Sequence, residues 1–326
     1  MILRKPDNRL KGLKTERGTA LVLTLLIIIT LAGLTLGFSG ESGVELTLAG
    51  YARDSQKAYQ LARSGINIAL ERMAREEDFE MDSFNEDWRR FGSLPTDEGV
   101  AEQGVTFTGG MVDENGKLNI NLLINEEGEI DEKGEARLRR LMTALGLKEE
   151  SANPLLDWLD ADDIERQDGA EAYFYRSLPQ PYECGNAPFP TMGQVFLVRG
   201  MRELERFGEK KSKRLLDYLT IYSDGKINVN TAPKEVIESL GENMDAALAE
   251  AIVEYRKEER FESIDDLRKV PGMEDEVLAE ISEWITVESS SFSIETHVNC
   301  NGAVAGIRTV ARKQGNTARL IYWQVL

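Results

Sequence analysis

The sequence predicts an α+β protein in which a long N-terminal helix packs on an antiparallel sheet and two helical modules are inserted among the strands. Three observations carry that expectation. Thr19 to Phe38 is twenty residues without a charge, and a helical apolar pattern continues from it to about Arg75. Alternating segments flank a central region, one at Gly104 to Met111 and three after residue 290. The central region itself contains a duplication at an offset of 72 residues.

The N-terminal helix comes first. Twenty helical residues rise about 30 Å, the hydrocarbon thickness of a bilayer. The eighteen residues before Thr19 carry Arg4, Lys5, Arg9, Lys11, Lys14 and Arg17 against Asp7 and Glu16, a net +4. Such a flank stays cytoplasmic and sends the rest of the chain across the membrane. A secretory signal has a shorter apolar core and a small-residue cut site after it. Here the helical pattern runs on instead, through Val44, Leu48, Ala52, Ser55, Tyr59, Ala62, Ile66, Leu70 and Met73. That stripe is expected to face a globular head. Gly33 and Gly37 form a small-xxx-small pair that either lets helices approach closely or is incidental, and Gly40 and Gly43 could loosen the helix.

Met81 to Gly99 reads as a polar, acidic connector with Trp88 and Phe91 packed on its neighbours. A strand follows around Val105 and Phe107. Two turn-and-strand signals come next, Asn115-Gly116-Lys117-Leu118-Asn119-Ile120-Asn121 and Asp224-Gly225-Lys226-Ile227-Asn228-Val229-Asn230. Phe189, Thr191, Met192, Val195, Val198, Gly200 and Met201 recur as Phe261, Ser263, Ile264, Leu267, Val270, Gly272 and Met273. In each copy Thr or Ser is placed to cap a short helix that a glycine ends. Longer helices are expected upstream, at Glu135 to Leu145 and Asn153 to Leu159 in the first copy, and at Pro233 to Leu240 and Asp245 to Arg256 in the second. Each copy is a small module of helix-hairpin-helix or SAM-like type. Ser291 to Val298, Ala303 to Arg312 and Ala318 to Val325 read as closing strands, with turns at Asn301-Gly302 and Gly315-Asn316.

Charge and composition limit the function. The 326 residues hold 39 basic and 57 acidic side chains, a net charge of −18. That surface repels phosphate backbones and suits divalent cations or basic partners. The hairpin Val270-Pro271-Gly272-Met273 is of a kind that can bind DNA phosphates. Ile221 to Val287, however, carries seventeen acidic against seven basic residues, which works against nucleic acid. His297 is the single histidine and lies in a strand pattern, too little for a zinc cluster. No phosphate loop, dinucleotide fingerprint or nucleophile elbow is present, so no enzyme is expected. Cys184 and Cys300 are either one disulfide or two unrelated thiols.

The two copies differ in one insertion, Asp160 to Pro188, where the second copy has only Lys257 to Arg260. Asp157, Asp160, Asp162, Asp163, Asp168 and Glu171 crowd its start. Carboxylates that close must be solvated or bridged by a cation. Calcium, which takes six to eight hard oxygen ligands, suits them better than magnesium. The spacing is not that of an EF-hand, and a solvated acidic loop is the plainer alternative. Trp158, Tyr173, Phe174 and Tyr175 beside it could pave a binding surface, although packing the module is the commoner use of such residues.

Arg17-Gly18 followed by Thr19-Ala20-Leu21-Val22-Leu23 resembles a type III prepilin leader. The resemblance implies cleavage by a prepilin peptidase between Gly18 and Thr19, then N-methylation of Thr19. Most pilins have glutamate at the fifth mature position, and here that position is Leu23. Together with Gly116-Lys117-Leu118-Asn119-Ile120-Asn121, Asp157-Trp158-Leu159-Asp160, Gly169-Ala170-Glu171 and Asn228-Val229-Asn230-Thr231-Ala232-Pro233, this order resembles the general secretion pathway protein K family over nearly all of the mature chain. The resemblance implies a pilin-like head and structural calcium in the inserted domain. It also implies a minor pseudopilin of the type II secretion system in the inner membrane, its head in the periplasm. Its expected partners are the I-type and J-type minor pseudopilins and the major pseudopilin, with no nucleic acid. A minor pilin of a type IV pilus, or an acidic membrane-tethered binding protein, are the alternatives. The expected divisions are a leader at 1–18, the helix at 19–75, connector and first strands at 76–116, modules at 117–220 and 221–287, and C-terminal strands at 288–326.

Overall fold

The computed structural model describes residues 13–74, 104–206, 214–315 and 317–326. The expected connector with Trp88 and Phe91, and the start of the leader, lie outside the described residues. Helix α1 (Leu13–Ala74) is 62 residues, about 90 Å of rod, and passes without a break through Gly33, Gly37, Gly40 and Gly43. It begins earlier than residue 19, so the Gly18–Thr19 bond lies within the helix. From Gly18 onward it is long and apolar enough to cross a membrane. Thr24, Thr30, Thr35 and Thr47 each turn their hydroxyl back onto a carbonyl three or four residues earlier, which hides polar groups on the apolar rod.

The second half of α1 packs. Ala58, Ala62, Ile66, Ala69 and Met73 are buried at helical spacing against a sheet built of β1 (Val105–Asp113), β6 (Ser291–Cys300), β7 (Ala303–Gln314) and β8 (Thr317–Val325). The sheet order is β1-β6-β7-β8, antiparallel throughout. Asn301 and Gly302, both at positive φ (53° and 93°), make the tight β6–β7 turn foreseen there. The rod lies very close to the sheet at Gly65, where a Cβ would come within 2.5 Å of the Phe107 ring. Cys300 is buried in this sheet and Cys184 lies in the first module. Both are free thiols, so of the two readings the unrelated pair is the one found.

Everything between Asp113 and Ser291 is inserted between two neighbouring strands, since Asp113 pairs with Phe292 across the β1–β6 ladder. The first module runs through β2 (Leu118–Asn119), α2 (Glu132–Ala144), α3 (Asn153–Leu159), α4 (Ala172–Arg176), α5 (Met201–Arg206) and β3 (Leu219–Thr220). The second runs through β4 (Ile227–Asn228), α6 (Lys234–Glu238), α7 (Ala246–Glu258), α8 (Asp275–Ile281) and β5 (Ile285–Thr286). β2 pairs in parallel with β3, and β4 with β5, so each module closes on its own ends. The strands expected after the Asn-Gly and Asp-Gly turns stop at two residues. The reason is local: Asn119 and Asn228 each accept a hydrogen bond from the N–H two residues on (3.0 and 2.9 Å), which bends the chain out of the ladder.

Helix boundaries follow their caps. Asp131 caps α2 by accepting from Gly134 N–H at 2.7 Å, which starts it before the expected Glu135. Asp245, expected as the first residue of its helix, instead caps α7 by accepting from Ala247 and Leu248. α3 has the expected bounds. The short elements after Thr191 and Ser263 are 3-10 turns, Met192–Leu197 and Ile264–Lys269, followed by Gly200 and Gly272 at positive φ. One continuous core, including Leu138, Leu141, Phe189, Ile237, Ile252 and Phe261, runs through both modules. At their boundary the Arg137 guanidinium lies 3.7 Å from the centre of the Trp284 ring, and Lys133 pairs with Glu283 at 2.7 Å.

A polar knot fastens the modules to the sheet. The Asn115 side chain accepts from the backbone N–H groups of Ser290 and Ser291 (3.0 and 3.1 Å) and donates to Asp224 and to the Lys226 carbonyl. The buried Asp113 carboxylate accepts from the Thr231 and Ser289 hydroxyls and from Asn115 N–H. Burial pushes its pKa up from 3.8 to about 6 against the pull of those bonds. Glu114 accepts from Thr220, Ser293 and Lys117.

Candidate functional site

The acidic insertion is built on α3 and α4. α3 starts with Pro154 in its first turn and brings Asp157, wholly buried, into the module. The Asp157 carboxylate accepts from Ala170 N–H at 2.8 Å and from Arg166 Nη1 at 2.7 Å. A Cβ on residue 169 would fall 1.9 Å from Asp157 Oδ2, so the loop closes onto Asp157 because Gly169 has no side chain. Arg199 straps the same turn by donating to the Gly169 carbonyl at 2.6 Å.

Asp160 follows at the end of α3. Its Oδ2 takes Arg166 Nη1 at 2.5 Å, while Oδ1 is buried without a hydrogen-bond partner among the described residues. Glu171, just before α4, is 3% exposed, and both of its oxygens are buried and unpartnered in the same way. Asp162 is exposed and accepts from Ile164 N–H at 2.7 Å. One oxygen each of Asp160, Asp162 and Glu171 falls within 4.8 Å of the others.

Of the six carboxylates singled out in the sequence, the structure thus gathers three. Asp157 is engaged with Arg166 and Ala170. Asp163 accepts from the Asn186 side chain at 3.1 Å, and Asp168 is exposed at a positive φ of 60°. Burial, then the charges of Asp157, Asp160, Asp163 and Asp162, push the Glu171 pKa up to about 8. Burial also raises Asp160, while Arg166 pulls it back.

The aromatics here mainly pack the module. Trp158 stacks on Phe189 at 6.0 Å and meets Tyr175 edge-on at 5.1 Å. Tyr173 is the exception, pointing into solvent. From outside, the Asn125–Glu129 turn supports the loop: Ala161 N–H donates to the Gly128 carbonyl at 3.0 Å.

Three convergent carboxylates with no nitrogen or sulfur donor suit a hard divalent cation. Three buried oxygens without a hydrogen-bond donor among the described residues, two of them on Glu171, are costly unless protonated or bound to such an ion, so the residues fit one. Arg166 and Arg199 were not foreseen in the sequence, whereas Gly169 stands in the Gly169-Ala170-Glu171 motif noted there. An arginine amid a run of carboxylates was the available signal for the first of them. His297, the single histidine, lies on an exposed sheet face where its Nε2 is 2.6 Å from Glu295, itself paired with Arg308.

Residues 116–224 match the first domain of the family described as type II secretion system (T2SS), protein K, and residues 227–288 match a further domain of that family. Type II secretion system protein K of Klebsiella pneumoniae is 24% identical, over 94% of this chain and 98% of that protein. The protein of the same name from Pectobacterium carotovorum subsp. carotovorum is 27% identical, over 84% and 87%. A chain in the crystal structure of the GspK-GspI-GspJ complex from the enterotoxigenic Escherichia coli type 2 secretion system shares the fold. Its TM-score is 0.58 at 15% identity, covering 88% of this chain and 99% of that one. With both inserted domains matched and the relatives aligned along nearly their whole length, the chain belongs to the type II secretion system protein K family.

Proposed function

We propose that this chain is a minor pseudopilin at the tip of the type II secretion pseudopilus. There, with I-type and J-type minor pseudopilins, it primes assembly of the major pseudopilin for protein export across the outer membrane. The observation that carries this reading is the contrast along α1. From Leu21 to Tyr51 its large apolar side chains are exposed, whereas Ala58, Ala62, Ile66, Ala69 and Met73 are buried in its own head. A bare apolar rod gains by lying in lipid or beside similar rods. The mechanism is steric and non-catalytic: rods pack side by side, and the two helical modules obstruct a subunit above. Leu23 suits that position, since a carboxylate there needs the amine of a neighbour to offset its cost in lipid. The GspK-GspI-GspJ complex is the precedent for the partners.

In this reading a prepilin peptidase cuts after Gly18, Thr19 becomes the methylated N-terminus, and the head stands in the periplasm. A structural Ca2+ is held by Asp160, Asp162 and Glu171, with Asp157, Asp163 and Asp168 adding negative charge around it. Once bound, it supplies the positive charge that lets Asp160 and Glu171 stay ionised while buried.

Mass spectrometry of the mature chain is expected to find N-methyl-Thr19 first, and the detergent-solubilised chain is expected to co-purify with I-type and J-type proteins. A mature N-terminus beyond Phe38, or a chain that captures neither partner, overturns the reading.

A further inference from the structure

We propose that Arg166 is a tethered counter-ion that competes with the divalent cation and sets its affinity. The inference rests on the cation reading of Asp160, Asp162 and Glu171. The Asp160 carboxylate is shared. One oxygen takes Arg166 Nη1 at 2.5 Å and the other is buried without a partner among the described residues, while the carboxylate belongs to the Asp160, Asp162 and Glu171 cluster. The same guanidinium nitrogen reaches Asp157 at 2.7 Å, and the Arg166 backbone N–H also lies against that carboxylate, at 3.3 and 3.4 Å. Arg166 thus bridges two carboxylates that are otherwise almost completely buried.

Charge bookkeeping defines the role. Asp157, Asp160, Asp162 and Glu171 would repel one another if ionised with nothing between them. Arg166 offsets part of that charge and holds α3 to the loop without a metal. A divalent ion on the free oxygen of Asp160 then sits within a few ångströms of the guanidinium, and the two positive charges repel. The arginine therefore keeps the ion-free module folded and at the same time weakens ion binding, so the ion can exchange without the module coming apart.

The test is calcium titration calorimetry on the detergent-solubilised full chain, paired with thermal melting in excess chelator. Arg166→Gln removes the charge, and Arg166→Lys keeps it. The Gln variant is expected to bind calcium about tenfold more tightly than the native chain and to melt lower in chelator, while the Lys variant binds close to the native value. Equal or weaker calcium binding by the Gln variant overturns the proposal, because a merely structural arginine would act in that direction. So does a Gln variant that fails to fold in excess calcium, since the ion is expected to replace the lost charge. If the native chain itself takes up no calcium, the cation reading falls and takes this inference with it.

Discussion

The side chain of Asn230 clasps the backbone of Phe261, accepting from its N–H and donating to its carbonyl, both at 2.9 Å. Asn121 clasps Phe189 in the same way, both at 2.8 Å, so the duplicated segments share a bracket as well as a sequence pattern. Asn230 is wholly buried and Asn121 only partly. Replacing Asn230 by Ala strands two buried backbone groups and is expected to cost about 2–4 kcal/mol, against about 1–2 kcal/mol for Asn121→Ala. Urea unfolding of the two variants gives the comparison.

Asp113 makes the attachment of the modules sensitive to pH. Its folded pKa, near 6, lies above its ordinary 3.8. Its favourable contribution is therefore complete below about pH 4 and lost as pH rises through 6. Asp113→Asn does not ionise. Its stability relative to the native chain is expected to climb between pH 4 and 6.5, by up to ~3 kcal/mol. Melting curves for both chains across that range isolate the effect, since other titrating groups are common to the two.

Cation removal offers a third check. Excess chelator is expected to lower the melting temperature of the purified chain by several degrees, and calcium to restore it. Glu171→Gln is expected to abolish the response. Melting that is indifferent to both chelator and calcium excludes a structural ion at Asp160, Asp162 and Glu171.

Leu23 gives a prediction about the rod. It lies exposed on the apolar half of α1. A tip subunit has no overhead amine to pair with, so Leu23→Glu is expected to leave secretion measurable in a strain carrying only that variant. Complete loss of secretion argues that the position has a partner.

Much of this was legible in the primary structure because it depends on local pattern. The charge-free run from Thr19 and the alternation after Ser291 follow from periodicity and stand where expected, whereas the apolar stripe faces the head only through Ala62, Ile66 and Met73 and leaves Val44, Leu48 and Ala52, expected there too, exposed. The two-residue strands at Leu118 and Ile227 were harder. Their partners lie far away at Leu219 and Ile285, and a side-chain turn at Asn119 or Asn228 cuts them short. In the acidic insertion the sequence indicated which residues were candidates but not which would meet. Asp157 and Asp160 share the Arg166 guanidinium and differ in role because Asp157 also takes the Ala170 N–H, in a turn that closes on it only because Gly169 has no side chain. Those contacts span six to thirteen positions with no repeating period.

The place where the modules join the sheet has a mechanical consequence. The chain leaves β1 after Asp113 and returns at Ser291 on the adjacent strand, so any tug on the helical cap arrives at one end of a ladder. Rungs loaded from an end open singly, like the teeth of a zipper, and resist far less than rungs sheared together. Asn115, bonded to Ser290 and Ser291 across that end, is the rivet such a tug meets first. A cap mounted this way is suited to pushing, where the ladder is pressed shut, and poorly suited to being pulled.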